Sequence, residues 1–450
     1  MQRKRFILYS LITLLLFGGC RKSDITINEA EIIGDLGNET GTVTWVKEKT
    51  YILDGLVFVN PGQTLRIEAG TLIKAKPGQA TNASALVVAR GAKIIAEGTP
   101  EEPIIFTVEG DDLSGSVPYE ARGLWGGVIL LGNAPINTSS GVSKVEGIPT
   151  EETRGIYGGN NPEDNSGVLA YVSIRHGGTN IGEGNEINGL TLAGVGNKTE
   201  IHHIEVISNE DDGFEFFGGT VNASHLLAAF CGDDAFDFDQ GYNGNLQFIA
   251  GIQSPYLGDN LAEHNGGSEE DHYGLPYTAP NIANATFIGN NYAEQDFVIK
   301  FTLNGAGTYA NSIFVQQKRG IQIEVTEEPA HSFNQFEQGR LALHNNLFND
   351  IASNTTDEIF SVLNRTGEPS STYETMLDEQ FSLSNNQLTA LGVGYLEGTY
   401  TLIPGNIDYG TLYNNEAAFF ESVSFKGAFA PQEVTWLEPW SQLAREELIP

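Results

Sequence analysis

Residues 209–221 read NEDDGFEFFGGTV, and residues 231–243 read CGDDAFDFDQGYN. At a constant offset of 22, Asp211 falls on Asp233, Asp212 on Asp234, Phe214 on Phe236, Glu215 on Asp237 and Phe216 on Phe238. An earlier copy at an offset of 24 matches Asn188-Gly189-Leu190-Thr191-Leu192 to Asp212-Gly213-Phe214-Glu215-Phe216. Self-similarity at a period of about 20 to 50 residues, built from short strand-like runs, marks stacked coils that each bury an apolar side against the next. The repeat therefore predicts an all-β solenoid.

Outward from the repeat, the same texture continues. Gly55-Leu56-Val57-Phe58-Val59, Thr64-Leu65-Arg66-Ile67-Glu68, Thr71-Leu72-Ile73-Lys74-Ala75 and Ala85-Leu86-Val87-Val88-Ala89 are short β-rich runs. Between them stand turn signals such as Asn60-Pro61-Gly62, Ala69-Gly70 and Pro77-Gly78, too tight for helical crossovers. Up-and-down barrels and sandwiches also use regular short strands. The internal copies favour the solenoid, because stacking equivalent residues requires nearly equal coil lengths. Fifty-three glycines suit corners that need positive φ. Residues 351–450 lose the coil rhythm and carry helix-like stretches at 372–381 and 415–421, with Phe419, Trp436 and Trp440 available to cover an open end. The expected organisation is a signal peptide at 1–19, a lipidated tether and N-terminal cap at 20–50, a β-helix at 51–350, and C-terminal coils with a partly helical cap at 351–450.

The N-terminus combines Arg3-Lys4-Arg5 with an apolar run at 6–17, too short to span a bilayer as a helix, which needs about 20 apolar residues. It ends in Leu16-Phe17-Gly18-Gly19-Cys20, which resembles a bacterial lipobox. That resemblance implies cleavage before Cys20 and its acylation, palmitate included, and two or more acyl chains anchor stably. Arg21 stands where an inner-membrane retention signal would show Asp, so the expected address is the outer membrane. The second cysteine, Cys231, has no partner left within the chain. The formal net charge is −34, and about −37 once residues 1–19 are gone. Such a surface excludes nucleic acid and anionic lipid headgroups as partners and leaves cations, neutral glycans and basic protein patches.

Several longer stretches carry a family likeness: Gly123-Leu124-Trp125-Gly126-Gly127-Val128-Ile129-Leu130, Ser173-Ile174-Arg175-His176-Gly177-Gly178, Glu186-Ile187-Asn188-Gly189-Leu190, and Asp211-Asp212-Gly213-Phe214-Glu215-Phe216. Over most of residues 50–450 the chain resembles secreted, often lipid-anchored proteins of Bacteroidota and related Gram-negative bacteria. The resemblance implies a pectin-lyase-like, right-handed parallel β-helix and an envelope location, with no settled activity. Polysaccharide lyases and polygalacturonases share the broader fold, but fold alone is weak evidence for their chemistry.

Alternation in Phe214-Glu215-Phe216 and Phe236-Asp237-Phe238 puts rings on one face and carboxylates on the other. At a strand spacing of about 4.8 Å the rings form an internal column, and the carboxylates repel by about 1 kcal/mol in water or about 3 at a protein surface. Compensation must come from a cation, from backbone N–H groups, from a base or from shared protons. Residues 199–299 contain no Lys or Arg, which favours a cation or amides. Three readings follow. Asp211, Asp212, Asp233 and Asp234 can bind corner amides as Asx turns. Asp211, Asp212, Glu215, Asp233, Asp234, Asp237 and Asp239 can bind calcium through hard oxygen donors. Glu215, Asp237 and Asp239 can serve as catalytic carboxylates of a polysaccharide lyase or glycoside hydrolase. Against catalysis, the Gly-His-Gly turn and Arg-x-Lys site of polygalacturonases are not matched at Arg175-His176-Gly177 or downstream of the ladder.

Histidines form a smaller set. His203 and His225 repeat at the same offset of 22, beside His202, and stacked imidazoles can hold zinc or copper if a third ligand exists. Glu263-His264-Asn265 is expected on a glycine-rich projecting loop that folds back toward Asp237 and Asp239, with His264, Arg175 and His176 as further ligand-binding candidates. The resulting expectation is a non-enzymatic, outer-membrane lipoprotein whose β-helix binds a glycan, a cation or an envelope protein. A carbohydrate-active enzyme using the Asp/Glu ladder is the alternative.

Overall fold

The computed structural model describes residues 29–35, 41–182, 185–267, 273–292, 294–396, 398–405, 407–431 and 433–449; Cys20 and the segment before it lie outside them. Phe214–Phe217 forms a parallel strand beside Phe236–Asp239, with Phe214 opposite Phe236, Glu215 opposite Asp237 and Phe216 opposite Phe238. Leu190–Ala193 lies on the other side, Leu190 opposite Phe214. The copies in the sequence are therefore neighbouring rungs of one ladder. Ten such strands, from Leu56–Val59 to Phe360–Asn364, stack in chain order as a short sheet. Each coil returns through a second, 18-stranded sheet whose longest members are Gly167–Arg175, Glu200–Ile207, Asn222–Ala229 and Asn245–Ile252. The protein is a right-handed parallel β-helix, the hand that twisted parallel strands impose on their crossovers. Its ladder starts upstream of Tyr51, since Glu29–Gly34 pairs with Lys49–Asp54 and Val43–Trp45 with Thr64–Ile67.

The long-sheet strands bend at one residue per coil. Tyr171, His203, His225, Phe248, Asn284, Asn311, Asn345 and Asn385 all have φ between 50° and 58°. This left-handed region disfavours side chains other than Asn, Asp and Gly. The aromatic half of the column meets that cost with stacking: His203 lies 4.2 Å from His225 at 6° and 4.3 Å from Tyr171. In the asparagine half, the amides reach outward to the C-terminal segment, Asn284 to the Phe425 carbonyl, Asn311 to Tyr413 and Asn345 to Thr411.

Inside the coils the rings stack as the alternation predicts. Phe214 and Phe236 lie 5.2 Å apart at 8°, Phe216 and Phe238 also 5.2 Å apart, and all four are fully buried. Burial of each is worth about 1.5–3 kcal/mol relative to exposure. Two further apolar clusters lie outside the coils. Residues of the 132–165 insertion, Ile136, Val145, Ile148 and Tyr157, cover Ile129, Leu131, Ala193 and Phe217 on the short sheet. Tyr400, Phe429, Leu437 and Leu443 cover Ile207, Leu227, Ile252 and Ile313 on the long sheet.

That second covering corrects the expectation of a C-terminal cap built on Trp436 and Trp440. The last forty or so residues run back along the long sheet as a strap. Trp436 meets His203 and His225 edge-on, and Trp440 meets Tyr171, several coils from the C-terminal end. End closure falls instead to the helix Ser370–Leu383, whose Phe381 packs on Phe348 and Phe360. Residues 415–421 form no helix. Burial of the apolar long-sheet face contributes more than covering one end of the solenoid, because the face is several coils long.

Candidate functional site

The outer face and upstream corner of the short sheet carry the acidic ladder, and stacking extends it beyond the residues its sequence repeat shows. Asp237 pairs with Glu263, and Glu263 with Lys300. The same offsets, 26 and 37 residues, carry Asp233 onto Asp259 and Asp259 onto Asp296, and the Asp259 N–H donates to the Asp233 carbonyl at 3.2 Å. Two columns result: Glu215, Asp237, Glu263 and Lys300 on the strand, and Asp211, Asp233, Asp259 and Asp296 at the corner. On sequence, Glu263 is expected on a projecting loop instead of in this column, and Asp259, Asp296 and Lys300 go unseen, because the coil lengthens there and the repeat loses its period.

A third column, Asp212, Asp234 and Asn260, is consumed by the backbone. The Asp234 N–H donates to Asp212 Oδ1 at 2.9 Å, the Asn260 N–H to Asp234 Oδ1 at 2.7 Å, and the Phe297 N–H to Asn260 Oδ1 at 3.2 Å. Asx turns within one corner are thus replaced at Asp212 and Asp234 by bonds from each coil to the next. Repetition of the same side chain at the same height makes this possible, since the next coil's amide is about one strand spacing away.

Compensation varies along the strand column. Glu263 is well supplied: Lys300 Nζ lies at 2.9 Å, and Asn260 and Asn265 each donate at 3.2 Å. Lys300 is the basic group that the Lys- and Arg-free stretch conceals, one residue past its end, and it is committed to Glu263. Glu215 is only 3 % exposed; Asn188 Nδ2 donates to its Oε2 at 3.4 Å, an amide that also serves Glu146 at 2.8 Å, and Asp212 is a further hydrogen-bonding neighbour. Glu215 Oε1 and Asp237 Oδ1 are buried without a hydrogen-bond partner. An orphaned buried acceptor costs about 1–3 kcal/mol, more when charged.

Burial, followed by neighbouring carboxylates, pushes Asp212, Glu215, Asp234 and Asp237 well above the usual carboxylate range. The same two causes raise Asp211 to about 7 and Asp233 to about 6. Asp239 is raised to about 7 by burial, against which the Gln240 N–H works. Glu146, brought over the ladder by the 132–165 insertion, is also raised to about 7, mainly by burial. The insertion therefore adds a carboxyl to the acidic face instead of a base.

Three groups converge closely enough to share an ion: Asp211 with Asp212 and Asp233, Asp212 with Glu215 and Asp237, and Asp233 with Asp234 and Asp259. In each, one oxygen from every residue lies within 4.8 Å of the others. Two oxygens on opposite sides of a calcium ion are about 4.8 Å apart, twice a Ca–O distance of about 2.4 Å. The donor set is all oxygen, which suits a hard cation and not zinc or copper. Asp239 joins none of these groups; its carboxylate accepts from the Gln240 N–H at 2.5 Å.

The remaining candidates are placed elsewhere. His264 sits in a strand and not on a projecting loop; it points into the core between Phe238 and Phe301, with Nε2 2.8 Å from the Tyr309 hydroxyl. Burial drives it down to about 3, so it stays neutral and offers nothing to a ligand outside. The downstream acidic run at 268–272 lies outside the described residues. Arg175 and His176 are both buried: Arg175 Nε donates to Ser173 Oγ at 2.8 Å near Glu205, and His176 lies under the segment before Gly123, its Nδ1 2.6 Å from the Ala121 carbonyl. Neither reaches a surface where a ligand could meet it. His202, His203 and His225 enter none of the three-donor clusters among the described residues, and burial holds His203 near 3 and His225 near 4. Cys231 is a free, buried thiol pushed up to about 12 by burial. A cavity of about 580 Å³ lined by Phe336, Leu343, Met376 and Phe381, with Glu337 and Glu379, lies at the C-terminal end, and none of the ladder carboxylates lines it.

With this geometry in place, the family model for pectate-lyase-like β-helix domains matches residues 37–393. No curated protein matches the chain.

Proposed function

The chain belongs to the pectate-lyase-like β-helix domain family, and from that premise we propose that it is a cell-envelope binding scaffold whose acidic ladder takes a divalent cation, calcium by donor chemistry. The observation that carries this reading is the pair of buried, unpartnered oxygens on Glu215 and Asp237, one coil apart, beside Asp212. A bound cation supplies the charge that no base among the described residues supplies there, Lys300 being engaged by Glu263. Asp211, Asp233, Asp234 and Asp259 form the more open flank of the same region.

The anchor is part of the proposal. Cys20 after a basic and apolar leader carries the lipid, palmitate among its chains, and Arg21 directs the protein to the outer membrane of a Bacteroidota-like Gram-negative cell. The partners that suit a net charge of −34 are a glycan or a basic face of an envelope protein, and not nucleic acid. Labelling with radioactive palmitate, lost in Cys20→Ala, tests the anchor.

The polysaccharide lyase or glycoside hydrolase reading has one point in its favour: Asp239, held near 7 by burial, is about half protonated at neutral pH, where a general acid is best poised. Among the described residues it lacks a free base or arginine beside Glu215 and Asp237, and Tyr157 of the insertion packs on Phe217, which immediately precedes Gly218 at the end of that strand. Metal analysis of the purified protein, with melting measured before and after EGTA, decides the cation. We expect stoichiometric calcium and a melting point lowered by chelation; a metal-free protein with an unchanged melt would remove the calcium reading.

A further inference from the structure

On the long-sheet side, where the strap turns through the hairpin Gly394–Leu396 and Thr399–Thr401, the coils and the strap enclose a cavity of about 250 Å³. Its lining is Gln253, Asn290, Asn291 and Gln316 from the coils, with Tyr395 and Tyr400 from the hairpin, and Pro255 and Gly289 completing the wall. Among the described residues no Asp, Glu, Lys or Arg lines it, although the chain holds 58 acidic residues; the nearest bonded carboxylate is Asp350, which accepts from Asn291 Nδ2 at 2.9 Å.

The amides are fixed in place. Gln316 Oε1 accepts from the Tyr395 N–H at 2.6 Å, Gln253 Nε2 donates to the Asp259 carbonyl at 2.7 Å, and Asn290 Nδ2 donates to the Ser254 carbonyl at 2.9 Å. Tyr400 is anchored through its hydroxyl, which donates to the Gln253 carbonyl at 3.0 Å. A carboxamide has four hydrogen-bonding positions; Gln253 and Gln316 use two of theirs, Asn290 three and Asn291 one, so each keeps at least one to offer.

Beside the cavity stand aromatic faces turned to water. Tyr256 is 73 % exposed, Tyr292 59 % and Tyr395 37 %, and Tyr256 meets Tyr292 edge-to-face at 5.5 Å. Tyr292 is tied to the cavity wall, its N–H donating to Asn290 Oδ1 at 2.9 Å. Pro255 adjoins Tyr256 in the chain. A cluster of large exposed side chains is informative where a single one is not.

We propose that this flank is a binding site for a neutral saccharide. Fixed amides match a ring's hydroxyl groups, tyrosine faces match its C–H surface, and a described lining without a cationic side chain, within a strongly acidic protein, disfavours uronic acids and other anionic sugars. The volume is below the 300–1,000 Å³ or so of a site for a drug-sized ligand, so it takes one ring of a longer chain, with neighbouring rings on Tyr256 and Tyr292. The inference deepens the scaffold reading by naming its partner class, and it is independent of the cation, because none of the ladder's ion-clustering carboxylates lines this cavity.

The test is native affinity electrophoresis of the detergent-solubilised full chain in gels containing mannan, laminarin, xyloglucan or amylopectin, with polygalacturonate as the anionic control. Retardation is expected in at least one neutral gel and not in polygalacturonate. It should weaken about tenfold in the doubly substituted Y256A/Y292A protein, whose exposed side chains can be removed without loss of the fold, as an unchanged melt will verify. Retardation in none of the neutral gels, in polygalacturonate only, or undiminished in Y256A/Y292A overturns the proposal. EGTA should leave the retardation unchanged. Release of new reducing ends from a retarding polymer would defeat the non-enzymatic scaffold while leaving the site in place.

Discussion

At Asp237, a carboxylate on a rung of like charges, one oxygen is buried with no hydrogen-bond partner, and Glu215 on the rung above repeats the fault. Each is tolerable alone if protonated, and both are tolerable together if a cation lies between them. That makes the pair a test of which state the folded protein holds. Asp237→Asn removes the charge and keeps the shape. In EGTA it should raise the melting temperature by about 2–4 °C, the shift that about 1 kcal/mol gives in a large domain. In calcium it should lose the metal-dependent increment of the parent protein. Differential scanning calorimetry of both proteins in both buffers checks the prediction, and an Asp237→Asn protein less stable than the parent in EGTA would count against the unpaired charge. The identity of this pair was legible from the offset of 22. Its neighbours were not: Lys300 and Glu146 reach the ladder across a lengthened coil and from a 132–165 insertion, and neither has a periodic signature.

Among the elements, the strap depends on a single buried carboxylate. Glu205 lies on a long-sheet strand and accepts hydrogen bonds from the Gln442 N–H at 2.8 and 2.9 Å and from the Leu443 N–H at 3.4 Å. It therefore sits at the N-terminal end of the short helix Gln442–Arg445, beside its Ser441 N-cap, and fastens the end of the strap to the coil face. Ser173 Oγ donates to the same carboxylate at 2.6 Å. Glu205→Ala should leave buried donors unpaired at a cost of about 2 kcal/mol. Because the apolar strap contacts are separate from the coil core, the expected readout is faster proteolytic cleavage within residues 405–449, with the β-helix fragment persisting. Equal cleavage rates in parent and variant would show that Trp436 and Trp440 hold the strap without it. The sequence suggested these tryptophans as an end cap because bulky residues near a solenoid terminus suit one. Nothing local distinguishes an end from a flank, and the decision rests on His203, His225 and Tyr171, more than 200 positions away.

For the whole molecule, the raised carboxyls reverse the usual direction of acid stability. A carboxyl whose pKa is higher in the folded than in the unfolded chain contributes most below its unfolded value, and the contribution is lost as pH rises through the folded value. With Asp211, Asp239 and Glu146 near 7 and Asp233 near 6, against unfolded values of about 4, that loss runs from about pH 4 to about pH 7. Metal-free protein should therefore melt at least about 3 °C higher at pH 5.5 than at pH 8, and saturating calcium should flatten the difference. Thermal melts across that range, with and without the ion, check it; a metal-free melt that rises steadily with pH would mean that the ladder is not protonated in the folded state.

The stacked architecture, the register of its central rungs and the inward column of phenylalanines were determined by the sequence alone. In a solenoid, chemically equivalent residues recur at the coil length, so contacts between rungs are written as repeats along the chain. What covers the coils was decided only in three dimensions: the insertion that brings Glu146 over Glu215, Lys300 closing the acidic strand column at Glu263, the strap along the long sheet, and the amide-lined cavity at its hairpin. These join residues tens to hundreds of positions apart, each contact made once. A contact made once leaves no period to read.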